Sequence, residues 1–166
     1  MANKGKEFEK KFEEDFLTTF PKAFVMRIKD QMSGYKNASQ NLCDYICFNN
    51  GLLYCVECKS IEKQNTFPFQ NLKQFEKLSE QKNIEGVSAG VVIWFIKHKK
   101  VCWVPIVEFI RLKNEGYKSI NVKMIDDGNF KVYNLESKPK RVFLDTDYSL
   151  LEELAQLKEI NSDNQN

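Results

Sequence analysis

Asn50-Gly51 stands between two strand-like runs, residues 42–49 and 52–60, and dictates how those runs pair. A two-residue type I′ turn needs positive φ at both central positions, and Asn followed by Gly tolerates that best. The turn sets the register. Asn49 pairs with Leu52, and counting back along both strands places Asp44 across from Glu57. Side chains opposed in this way have Cβ atoms ~4.5–5.5 Å apart. Glu57 and Lys59 are two residues apart, so they point to one face of the sheet.

Two facing carboxylates repel, so the pairing does not serve stability. It suits a hard divalent cation such as Mg²⁺, which takes oxygen ligands. A lysine beside the acids can orient a water or stabilise developing negative charge. Asp44, Glu57 and Lys59 at one point therefore suit metal-assisted hydrolysis of a phosphodiester. The plainer alternative is a hairpin whose solvent face carries three ordinary charges. The cysteines offer another, because Cys43, Cys47, Cys55 and Cys58 include a C-x-x-C spacing that zinc sites use. In the predicted register Cys43, Cys47 and Cys58 share one face and Cys55 points to the other, whereas tetrahedral zinc needs all four to converge. Cys43 faces Cys58, a pair whose geometry admits a cross-strand disulfide. Small buried hydrophobes are the preferred reading of these cysteines.

Elsewhere, Phe8, Phe12, Phe16 and Phe20 recur every fourth residue and predict a helix over 4–20 with an inward apolar stripe, stopped by Pro21. Glu9 and Glu13 flank that stripe. A strand is predicted over 23–29, a polar loop over 31–41, and a helix from Pro68 to about residue 82. A buried strand over 87–96 and a return strand over 101–104 flank the basic turn Lys97-His98-Lys99-Lys100. A short helix over 105–114 follows. A second hairpin is predicted around Asp126-Asp127-Gly128-Asn129, joining 120–125 to 130–135, then a terminal helix over 150–157. This order describes a mixed α/β sheet domain.

The 166 residues suit a single domain, 1–157, followed by a frayed tail over 158–166. Hydrophobic residues at 42% and charged residues at 29% exclude a wholly disordered chain. The net charge of +2 means that a polyanion would have to be met by clustered bases. Such clusters occur at Lys4/Lys6/Lys10/Lys11, at Lys97–Lys100 and at Lys138/Lys140/Arg141. No apolar run is long enough for a membrane helix, and the charged N-terminus is unlike a secretory signal. Both point to a cytoplasmic location with reduced thiols and no membrane partner. One histidine and no Gly-rich phosphate loop argue against a Ser/His/Asp hydrolase and a P-loop enzyme.

The spacing Asp44-x12-Glu57-Cys58-Lys59 resembles the PD-(D/E)xK nuclease core. Further segments resemble RecU-type Holliday junction resolvases. Asn3-Lys4-Gly5-Lys6-Glu7-Phe8-Glu9 is similar to their N-R-G-K-x-x-E, Asp44-Tyr45 to their T-D-Y, and Thr66-Phe67-Pro68-Phe69-Gln70-Asn71 to their S-F-P-L-x-N. Lys118-Ser119-Ile120 and Arg141-Val142-Phe143-Leu144-Asp145 have counterparts near the family's C-terminus. The resemblance implies a restriction-endonuclease-like mixed β-sheet flanked by helices, in a short, phage-like form. It implies a homodimer that binds four-way DNA junctions and nicks them in symmetric pairs with Mg²⁺, or Mn²⁺ as substitute.

Carried over residue by residue, Asp44 and Glu57 become metal ligands with the Cys58 backbone carbonyl, Lys59 acts on the water or the transition state, Glu9 helps bind metal, and Gln74 is a catalytic glutamine on the same helix face as Gln70. DNA contacts are expected from Lys4, Lys6, Arg27, Lys36, Gln70, Lys97, Lys99, Lys100, Lys140 and Arg141. Two features depart from the family: the 31–41 loop is much shorter than its junction-entering stalk, and Asn71-Leu72-Lys73-Gln74 replaces its H-x-x-H-Q segment. Two competing functions are a PD-(D/E)xK nuclease with another DNA substrate, in restriction or end-processing, and a non-catalytic DNA-binding modulator of recombination.

Overall fold

The phenylalanine repeat forms α1 (Lys4–Thr19), whose first turn is capped by Asn3 Oδ1 accepting from Gly5 N at 3.1 Å. The computed structural model describes residues 3–29 and 40–163; Lys36 and most of the expected 31–41 loop lie outside the described residues. A three-stranded meander follows: β1 (Phe24–Arg27), β2 (Tyr45–Asn49) and β3 (Leu52–Ile61). Asn50 and Gly51 have φ of 49° and 80°, as the type I′ turn requires. The register runs from Asn49↔Leu52 to Tyr45↔Val56, as the turn predicts.

Residues 62–86 cross over to β5 (Val87–Phe95) by way of β4 (Thr66–Pro68), a 3₁₀ turn at Phe69–Asn71 and α2 (Phe75–Glu80). β5 lies parallel to β3, and β6 (Lys100–Pro105) returns antiparallel to β5. After α3 (Ile106–Asn114) come β7 (Ser119–Asn121), β8 (Tyr133–Leu135), β9 (Ser137–Pro139), β10 (Leu144–Thr146) and α4 (Ser149–Asp163). The main sheet has six strands in the order β1-β2-β3-β5-β6-β8, with β3–β5 its parallel pair. Helix, meander, crossover helix and parallel strand make up a mixed α/β domain, its sheet flanked by helices.

The core has two layers, one on each side of that sheet. Phe8, Phe12 and Phe16 of α1, with Tyr148 and Leu151 at the start of α4, cover the face that carries Tyr45, Cys47, Tyr54, Val56 and Cys58. Leu78 of α2 and Ile106, Phe109 and Leu112 of α3 cover the face that carries Cys55, Val91, Ile93 and Val104. Among the described residues no helix is long and apolar enough to cross a membrane.

Three expectations need correction. The helix from Pro68 to residue 82 is broken, because Phe67 pairs with Ile120 in a small β4–β7 sheet and Phe69 N donates to Lys118 O at 2.9 Å. Phe67 and, past the 3₁₀ turn, Leu72 are both buried in the layer beneath α3. Residues 120–125 and 130–135 do not form a hairpin: β7 joins β4, while β8 completes the main sheet against β6. The terminal helix runs on to Asp163. Lys158 Nζ donates to Lys82 O and Val87 O, and Glu159 Oε1 accepts from Gly86 N at 2.7 Å, so the segment expected as a tail from 158 begins as a helix docked on the α2–β5 connection.

Candidate active site

The β2–β3 ladder ends one residue before Asp44 would face Glu57. Asp44 N donates instead to Val56 O at 3.2 Å, so Asp44 and Tyr45 both face Val56 and the strand bulges. The extra residue reverses every side chain before it. Cys43 therefore turns to the face of Cys55, not to that of Cys47 and Cys58, which corrects the expected placement of the cysteines. Its Sγ donates to Tyr45 O at 3.1 Å, and all five cysteines are free thiols in the core. The bulge also redirects Asp44, whose Oδ2 accepts the Cys58 amide at 2.8 Å. That amide lies on the β2 side of β3, beyond the last ladder bond, and the carboxylate takes the place of a backbone carbonyl. The Cys58 carbonyl shares this side, since N–H and C=O of one strand residue point the same way.

Glu57 is 1% exposed, so it is not an acid on a solvated surface. Lys59, on the same face, pairs its Nζ with Glu57 Oε1 at 2.7 Å, whereas the buried Oε2 has no hydrogen-bond partner. Burial, then the charge of Asp44, outweigh the pull of Lys59 and push the Glu57 carboxyl up to about 7. Glu9 adds to that rise from α1. A buried carboxylate that has a single cation on one oxygen and nothing on the other is still costly to ionise. A small divalent cation would offset that cost. Mg²⁺ usually takes one or two carboxylates and keeps several waters, which Asp44, Glu57 and the Cys58 carbonyl could satisfy. Among the described residues no three His, Cys, Asp or Glu side chains converge by themselves, so such a site would be water-rich.

Glu9 does not stand open to a cation. Arg27 Nε donates to its Oε2 at 3.2 Å, and Nη2 reaches the same oxygen. One turn further along α1, Glu13 Oε2 accepts from the Tyr45 hydroxyl at 3.3 Å. The structure thus engages Arg27, expected to contact DNA, with an acid expected near metal. Gln74 opens α2, the helix over the Glu57 face, and its Oε1 is buried with no hydrogen-bond partner. Gln70 lies on the separate 3₁₀ turn and is exposed, so the two glutamines do not share a helix face.

The expected DNA contacts fall into separate places. Lys4 and Lys6 lie in the first turn of α1, and Lys4 pairs with Glu62 just beyond β3 at 3.4 Å. Lys97 and Lys99 occupy the β5–β6 turn, where Lys99 is left-handed, and Lys100 begins β6. His98 ties this turn to Asn65 through a 2.7 Å bond. Lys140 and Arg141 sit between β9 and β10, with Lys140 Nζ 3.2 Å from Asp145. Sequence reasoning missed a network that fixes α1: Lys11 Nζ bridges Asp15 and Asp145 at 2.6 and 2.7 Å, and Asp15 Oδ2 accepts from Thr146 N. The i, i+4 spacing of Lys11 and Asp15 was its only local signal.

The family model described as recombination protein U matches residues 22–145, a span that includes Arg27, Asp44, Glu57, Lys59 and Gln74 but not Glu9. No curated protein sequence matches the chain. Among solved structures the chain is similar to Hjc from Archaeoglobus fulgidus, a Holliday junction resolvase of an archaeal hyperthermophile. The two share 15% identity over 76% of this chain and 87% of that one, with a TM-score of 0.40.

Proposed function

Because the chain belongs to the recombination protein U family, we propose that it is a Holliday junction resolvase, an endodeoxyribonuclease that hydrolyses phosphodiesters in four-way DNA. The observation that carries the chemistry is the buried Glu57 carboxylate, paired with Lys59 through one oxygen and without a hydrogen bond on the other, close to Asp44. Catalysis depends on a divalent metal, and we assign Mg²⁺, with Mn²⁺ as substitute, to Asp44, Glu57 and the Cys58 carbonyl. A cation bound there supplies Lewis-acid polarisation of the phosphate and a more acidic water.

The chain's own groups do the rest. Lys59 holds a positive charge at the acids, where charge develops on the phosphate. Asp44 is oriented by the Cys58 amide. Burial on the α2 side keeps bulk water from Glu57. Gln74 offers a buried amide oxygen near the same layer. Lys4, Lys6, Lys97, Lys99, Lys100, Lys140 and Arg141 provide phosphate contacts, so affinity falls steeply with salt. A junction has two equivalent scissile positions related by two-fold symmetry, and one chain supplies one centre, so paired incision calls for a homodimer. A cytoplasmic location goes with this substrate.

The test compares a four-way junction with linear duplex of the same sequence. Cleavage should require Mg²⁺ or Mn²⁺ and favour the junction. Ca²⁺ should permit binding without cutting, since its larger radius accepts looser geometry. Robust cutting in EDTA would refute the metal assignment, and equal cutting of both substrates would favour a nuclease of another specificity.

A further inference from the structure

The geometry assigns Arg27 a second role, as a positioning residue that holds Glu9 off direct ligation and sets how tightly the cation binds. The inference rests on the metal site placed above at Asp44 and Glu57. Arg27 ends β1 as the cross-strand partner of Tyr45, and the next residue, Ile28, donates its amide to Asp44 O at 2.8 Å. The guanidinium therefore stands beside the bulge that aims Asp44. Its Nε and Nη2 both reach Glu9 Oε2. The Glu9 side chain is 17% exposed and that of Arg27 43%.

An arginine fork is planar, stays charged at every accessible pH and reaches Glu9 with two donors at fixed geometry, which a lysine or histidine does not offer. A small cation needs only one or two carboxylates, and Asp44 and Glu57 supply them. Glu9 then has no need to leave Arg27, and acts on the cation from outside, through water. The pair is also electrically balanced. Glu9 attracts a divalent cation and Arg27 repels it, so the site's affinity depends on both charges at once.

Mn²⁺ titrated calorimetrically into the full DNA-free chain tests this without any reference to cutting. Arg27→Gln should bind Mn²⁺ about tenfold more tightly, because the repelling charge is gone and Glu9 is released. Glu9→Gln should bind it several-fold more weakly, because Arg27 is left uncompensated. The double variant should return to within roughly threefold of the parent, because both charges vanish together. If Glu9 were a direct ligand, the double variant would stay as weak as Glu9→Gln, and that result overturns the inference. Arg27→Gln with unchanged or weaker binding overturns it too, since damage to the fold lowers affinity and cannot raise it. Asp44→Asn separates the two readings. If it abolishes Mn²⁺ binding while the Arg27 cycle fails, only the inference falls; if it leaves binding intact, the metal site itself is wrong and the inference falls with it.

Discussion

Glu57→Gln should make the fold more stable while removing its chemistry. Burial and the neighbouring Asp44 raise the Glu57 carboxyl from an ordinary 4.5 to about 7. The native state therefore holds a proton that the unfolded chain releases between those values. Stability falls as pH rises through that window, and the deficit is complete above pH 7. At ~1.4 kcal/mol for each pH unit between the two values, the ionised Glu57 costs roughly 3 kcal/mol at pH 8. Glutamine has nearly the same shape and no charge to bury. In urea titrations with EDTA present, the variant should exceed the parent by roughly 3 kcal/mol at pH 8 and by under ~0.5 kcal/mol at pH 4.5, where Glu57 is neutral in the native parent. In melting temperature the gain at pH 8 should be roughly 6–12 °C for a domain of this size. Mn²⁺ should stabilise the parent and leave the variant unmoved, because binding to the native state alone adds to stability. A gain that does not change with pH, or a loss at pH 8, would refute the claim that Glu57 is a desolvated charge awaiting a cation.

Gly90→Ala should destabilise by roughly 3 kcal/mol in the same assay, since an added Cβ would lie 2.5 Å from Val104 O and 2.7 Å from the Trp103 ring. Glu108, 1% exposed, accepts from Arg111 Nε and Nη2 and from Lys131 N. Glu108→Ala should cost about 3 kcal/mol at neutral pH, and urea titrations should show that cost shrinking as pH falls through the acid range: burial opposes ionisation of Glu108, but its donors hold the carboxyl below the ordinary value. Mixed dimers of parent and Glu57→Gln chains should nick one strand of a junction without resolving it, as gel analysis of nicked and linear products would show. A chain that remains monomeric on junction DNA at micromolar concentration, by sedimentation, would count against the dimer.

The parts of the fold legible in the sequence were those governed by local rules. Asn50-Gly51 sets a register that runs unbroken to Tyr45↔Val56, and the four phenylalanines of the first helical stripe all reach the core. The parts that were not legible depend on distant partners. Nothing near Phe67 announces that it pairs with Ile120, so the helix expected from Pro68 breaks because of a strand far along the chain. The strands around residue 128 look like a hairpin, yet β8 is claimed by β6. At the site, spacing put Asp44 and Glu57 together, but the bulge that turns Cys43 and redirects Asp44 is a one-residue slip that no periodicity reports. Arg27 and Glu9 lie on different elements 18 residues apart, and only the packing of α1 across the sheet makes them partners.

The hairpin that carries Asp44 and Glu57 has a bearing on the order of assembly. β2 and β3 are joined by a two-residue loop, and hairpins of that kind close in about 1–10 μs. β5 can join β3 only after the whole 62–86 crossover has been gathered, a slower and more entropically costly event. The chain therefore brings Asp44 and Glu57, two like charges that repel, near one another early, before the helices and β5 that bury Glu57 have arrived. At neutral pH that repulsion opposes the first step of folding as well as the final state. A divalent cation present during refolding would then act on the rate of folding, through the nascent hairpin, and not solely on the finished domain.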